Sequence, residues 1–146
     1  AGIAPDLIDL RVACHPVRLL AVSQEHLILP QPLITPASML PKAIREALSQ
    51  KEILDFGMKV EPWMFSFDGV YCITPNSLVL SYALAIAAAG QASRVLMAGF
   101  DRYPTGDARN DETEEILAAF GAHSDLPLLA VTPTRHRLAS ASIYAL

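Results

Sequence analysis

Glycine is scarce in this chain, seven residues in 146, and none are spaced as G-x-G-x-x-G. The backbone therefore lacks the loop that normally closes on a pyrophosphate. There is no G-x-S-x-G nucleophile elbow, and nothing marks Lys42, Lys51 or Lys59 as a Schiff-base lysine. There are only two cysteines. Cys14 and Cys72 both fall in predicted strands, which reads as buried free thiols in a reducing, cytoplasmic setting rather than as a disulfide framework. His26 and His123 show no ligand spacing, and no Cys/His/Asp cluster reads as a zinc site. Basic residues are outnumbered, 11 Lys and Arg against 15 Asp and Glu for a net charge of −4, which argues against nucleic acid as a partner because phosphate neutralisation needs clustered cations. The longest apolar run is about a dozen residues, too short to span a bilayer.

What is abundant is apolar side chain, 52% of residues against 18% charged. That balance fits strands covered on both faces, or a surface that belongs against a partner, including a second copy in a homodimer. The length suits one domain, 1–146. The opening Ala1-Gly2, with no methionine and no signal-peptide pattern, reads as part of something longer.

The pattern predicts an α/β domain of Rossmann-like type: a mainly parallel sheet with helices on both faces. Strands are expected over residues 7–14, 33–34, 53–56, 94–98 and 128–131. Helices are expected over 41–50, 78–89 and 111–120, the last with acids in its first turn, as the helix dipole favours. Residues 23–31 read as irregular, with 27–29 as a short edge element. Alternation and an Asp68-Gly69 turn fit an antiparallel hairpin near 65–73; Trp63 and Phe65 fit a satellite cluster under a loop equally well.

Candidate site residues follow from the unit running from Ile73 to Tyr103. Thr74 is a plausible N-cap with Pro75 at the first helical position, and Gly90 is the expected C′ stop. A strand–helix–strand unit presents ligands at the carboxyl ends of its strands. That places Thr74, Asn76, Ser77, Asp101 and Tyr103 along one rim, as a site for a small anionic or sugar ligand. Asp101 could bond a ribose or sugar hydroxyl, or cap its own turn. A helix N-terminus offers an anion roughly 0.3–1 kcal/mol, whereas micromolar binding needs about 8 kcal/mol, so other groups must contribute.

Second-rank candidates are His15 and Arg18 after the first strand, Thr35 and Ser38 after the second, and Arg135 after the last. Three strands end alike, in Ile34-Thr35-Pro36, Ile73-Thr74-Pro75 and Val131-Thr132-Pro133. This is either a common way of leaving a strand or a rim of free N–H groups for an anion. Asp101, Gly106 and Glu112 match positions one, six and twelve of a calcium loop. Tyr103 and Thr105 at positions three and five, with a strand in front, break that pattern, and no metal site is expected.

Several stretches resemble the C-terminal domain of long aldolase-like proteins, the 4-hydroxy-2-oxovalerate aldolases similar to the hydroxymethylglutaryl-CoA lyase group. They are Ala13-Cys14-His15-Pro16-Val17-Arg18-Leu19, Pro32-Leu33-Ile34-Thr35-Pro36, Ile53-Leu54-Asp55-Phe56-Gly57, Thr74-Pro75-Asn76-Ser77-Leu78-Val79 and Ala98-Gly99-Phe100-Asp101. The resemblance implies a partner in the same chain, an N-terminal barrel that carries divalent-metal aldol chemistry and leaves no cofactor to this domain. A wider similarity reaches sialyltransferase-like and pterin-pyrophosphokinase-like α/β domains. Together these imply a non-catalytic ligand-binding or assembly domain that takes a phosphorylated or nucleotide-linked sugar. The alternatives are a transferase domain acting on a nucleotide-activated sugar with His15 as base, and a dimerisation module.

Overall fold

A computed structural model describes residues 3–145. A 3-10 turn, Pro5–Leu7, precedes β1, Arg11–Val12, so the strand expected over 7–14 keeps only its middle. Pro16 takes the first position of α1, Pro16–Ala21, and α2 follows at Ser23–Ile28. The stretch expected to be irregular is thus largely helical. Its inward residues, Ser23 and His26, continue the helical spacing of Leu19 in α1, and both are polar, which hides the period from a reading of apolar residues alone.

Next come β2, Leu33–Thr35, a 3-10 turn, Ala37–Met39, and α3, Lys42–Ala47. One extended run then forms β3, Ile53–Asp55, and β4, Gly57–Val60. β3 pairs in parallel with β2, which pairs in parallel with β1, whereas β4 pairs in parallel with β6, Tyr71–Thr74. At the junction the N–H of Phe56 donates to the Thr35 carbonyl and that of Gly57 to the Val70 carbonyl, so the run changes neighbours within one residue. β5, Ser66–Phe67, lies antiparallel to β6 across the Asp68-Gly69 turn. The Asp68 carboxylate accepts from the Val70 N–H, and the hairpin expected near 65–73 is present.

α4, Val79–Ala89, crosses from β6 to β7, Val95–Met97, touching β1, β5 and β6 on its way. α5, Ala108–His123, then leads to β8, Leu128–Ala130, and β9, Ala139–Ser140, and the chain ends in a 3-10 turn, Ile143–Ala145. β7, β8 and β9 form a second parallel set.

Helices cover both faces. Adjacent residues of β2 point opposite ways: Leu33 packs with Leu19, Ile44 and Leu48 of the α1–α3 side, and Ile34 packs with Tyr82, Leu84, Ile116 and Phe120 of the α4–α5 side. Both thiols are free and buried. Burial pushes Cys14 up to about 11 and Cys72 up to about 12, so neither is a nucleophile near neutrality. Among the described residues no helix is long and apolar enough to cross a membrane.

The ends of α4 differ from expectation. Its N-cap is Leu78, not Thr74. The Leu78 N–H is met by the Asn76 side-chain oxygen, and the Thr74 hydroxyl donates to the Asn76 carbonyl. Gly90 is the C-cap with ordinary φ, and the left-handed residue is Gln91, at φ 57°. Ala92 N–H to Ala87 carbonyl and Gln91 N–H to Ala88 carbonyl complete a Schellman motif one residue later than expected.

Candidate functional site

The carboxyl end of β1, the start of α4, the exit from β7 and the first turns of α5 border a half-open cavity of about 970 Å³. It has the size and position expected of a small-molecule site in an open α/β sheet. Three of the five first-rank residues line it: Ser77, Asp101 and Tyr103. So do His15 and Arg18 of the second rank.

The other two first-rank residues are engaged in shaping the chain. Thr74 is fully buried. The Asn76 side-chain oxygen accepts from the Leu78 N–H just before α4, and its amide donates to the Glu112 carbonyl, tying the start of α4 to α5. Thr35 is buried with its hydroxyl unpartnered, and Ser38 bonds the Asp55 carboxylate through its backbone N–H at 3.2 Å. Arg135 lies in a neighbouring cavity of about 400 Å³ that shares Tyr103, with its Nε 3.9 Å from Asp101 Oδ1.

The floor of the larger cavity is the first turn of α4, where Ser77, Leu78, Val79 and Leu80 come to the surface. The first N–H groups of a helix have no partner within it, and the residues that carry them here border the cavity. On the wall, the Arg109 guanidinium lies 3.9 Å from the centre of the Tyr103 ring and bonds Asp107, the N-cap of α5. Those Arg109 contacts pull Asp107 down to about 2.

A second set of groups lies beside the cavity, and sequence reasoning did not bring its members together. Glu114 accepts from Arg102 and lies 3.0 Å from Nδ1 of His136, whose side chain is almost wholly buried and tilts over the Phe100 ring at 4.7 Å. These contacts, the His136 bond first, lower the Glu114 carboxyl below its ordinary value. They join the exit of β7, the middle of α5 and the segment between β8 and β9. Their separation in sequence, 12 and 22 residues, leaves no local pattern to find.

The third Thr-Pro echo also finds a use. The Thr132 hydroxyl accepts from the Gly99 N–H at 2.8 Å, and Gly99 has a φ of 67°. Glycine alone takes that conformation without strain, so the bond fixes the direction in which residues 100–103 enter the wall. Among the described cations around the cavity, Arg18 makes neither an ion pair nor a hydrogen bond through its guanidinium.

Fold and cavity together define an α/β domain with a cavity at its strand ends. Comparison with family models, with curated proteins and with solved structures finds no match.

Proposed function

We propose that this domain binds a phosphorylated or nucleotide-linked sugar in the strand-end cavity and serves as a ligand-binding module beside a lyase barrel. One observation carries the reading: the free guanidinium of Arg18 and the opening turn of α4 border the same cavity as Asp101 and Tyr103. An anion at the α4 turn gains the helix-end N–H groups and a cation. A polyhydroxyl group one step further meets a carboxylate and a phenol, which accept and donate to hydroxyls. Two charge-assisted bonds at about 1.5–3 kcal/mol each, added to the helix end, give roughly 3–7 kcal/mol, so the hydroxyl contacts must supply the rest of a micromolar affinity. The resemblance to aldolase C-terminal domains supports a binding role in preference to chemistry.

Calorimetric titration of the chain with uridine and cytidine diphosphate sugars, and with inorganic phosphate, tests this. Arg18→Ala is expected to weaken binding of every phosphorylated ligand about tenfold or more, the loss of one charge-assisted bond. Asp101→Ala should weaken only ligands that carry a sugar. No binding by any phosphorylated sugar, or binding indifferent to Arg18→Ala, ends the reading.

A further inference from the structure

The contact between Glu114 and His136 has a direction. Oε1 of Glu114 takes both the Arg102 guanidinium and Nδ1 of His136, the latter at 3.0 Å. The bonds from His136 and Arg102 hold this carboxyl below its ordinary value, and an ionised carboxylate only accepts. The proton between the two groups therefore sits on Nδ1, and in the neutral ring Nε2 is left bare.

The other polar groups of His136 are engaged. Its N–H donates to the Thr134 hydroxyl, and its carbonyl accepts from the Leu138 N–H. Nε2 has no hydrogen-bond partner among the described residues. It is nonetheless not one of the unpartnered polar atoms closed off in the interior, which belong to His26, Gln31 and Thr35. The side chain is 1% exposed and borders the cavity, whereas Glu114, on the Nδ1 side, does not. The opening left to Nε2 is thus the cavity.

The ring is also held in place. It tilts 31° over Phe100 at 4.7 Å, and Phe100 borders the cavity. One residue back along the second segment and one forward along the first, Arg135 Nε lies 3.9 Å from Asp101 Oδ1. Residues 100–101 and 135–136 therefore run side by side, and His136 joins the stretch of wall that carries Asp101 and Tyr103. An acceptor fixed in this way loses little freedom when a ligand arrives.

We infer that Glu114 and His136 form a pair whose bare Nε2 accepts a hydrogen bond from a hydroxyl of the ligand's sugar, which makes His136 a residue that selects among sugars. For the identity of the ligand this rests on the reading proposed above. A phosphate oxygen is itself an acceptor and offers Nε2 nothing, so the anion stays with Arg18 and the α4 turn. A site built to bond a hydroxyl rejects the analogue that lacks it, because its own polar group is then left unmet.

The test uses whichever uridine or cytidine diphosphate sugar binds tightest in the titrations above, its monodeoxy analogues, and the nucleoside diphosphate alone. Proton–nitrogen correlation spectra of the histidine rings are recorded at about pH 8, above the ordinary imidazole value, with His136 assigned through His136→Phe. The free chain should show the proton on Nδ1 and none on Nε2, and Glu114→Ala should lose that preference. The sugar nucleotide should shift Nε2, and the nucleoside diphosphate alone should not. By calorimetry, one monodeoxy analogue should bind the unaltered chain about tenfold more weakly than its parent. In His136→Phe that analogue and its parent should bind alike, while the other analogues keep their ratios. Amide spectra of β2 and α4 report that each variant is folded.

A proton on Nε2 in the free chain overturns the inference, as does an Nε2 resonance unmoved by a sugar nucleotide that binds. So does a His136→Phe loss equal for every analogue, which is the mark of a structural ring. These failures leave the reading standing if Arg18→Ala still weakens binding. Binding of no phosphorylated sugar removes the reading and the inference with it.

Discussion

Tyr82 shows what one side chain can decide here. Its ring lies 5.9 Å from that of Phe56, and its buried hydroxyl donates to the Phe56 carbonyl, the point where the long strand changes neighbours. Burial pushes its pKa up, so it remains a donor. Tyr82→Phe keeps the packing and strands that carbonyl, a loss expected to be about 1–3 kcal/mol and readable as a lower urea midpoint with unchanged slope. Gln91 is the opposite case, a side chain held at φ 57° where glycine is favoured. Gln91→Gly should stabilise the chain by about 0.5–1 kcal/mol, measured in the same way. The sequence pointed to Gly90 for this role because glycine is the usual sign of a helix end; the Schellman bonds that move the position to Gln91 depend on where the last turn closes. Thr74 and Asn76 were legible as important polar residues but not in their role. The same hydroxyl and amide that suit a ligand also suit a sharp chain reversal, and only the partners tell these apart.

Among the elements, those that announce themselves have a local cause. Asp68-Gly69 between alternating residues gives the β5–β6 hairpin, and the apolar run before Gly90 gives α4. α1 and α2 were not legible as helices because each has six residues, too few for a period to establish itself, and because the inward positions of α2 are Ser23 and His26. The division of residues 53–60 into two pairings was equally hidden, since a strand reads the same whichever neighbour it takes. Gly57 makes that division workable. A Cβ there would lie 2.5 Å from Cδ2 of Tyr71 on the paired strand, so Gly57→Ala must push the ring off its place in the β4–β6 ladder. The expected cost is about 1–3 kcal/mol, as for other overpacked sites. It should appear with faster exchange at Met58 and Ile73 and little change at β7, which separates local loosening from global loss.

For the whole molecule, the two faces of the sheet were implied by composition, whereas the junction of the two parallel sets was not. The packing of β7–β9 on the helices is held at the rim by Arg102, Glu114 and His136, and lower down by the cluster in which Val95 and Leu128 pack against α4 and α5. Its ionic part makes a prediction about acid. The Glu114 pKa is lowered in the folded chain, so its contribution is present above the ordinary carboxylate value of 4.5 and is lost as pH falls through the folded value. His26 acts earlier on the same descent. Burial first, then the charges of Arg11 and Lys51, lower its pKa from 6.5, with Glu25 opposing. The unfolded chain therefore takes up this proton before the folded one, and stability falls as pH drops below about 6.5 toward the folded value. Urea midpoints taken from about pH 8 to 3 should show two declines, one beginning near 6.5 and one below 4.5. His26→Gln should flatten the first and leave the second, and Glu114→Gln should do the reverse. A first decline that survives His26→Gln would mean that the buried ring is not held neutral against the cavity wall.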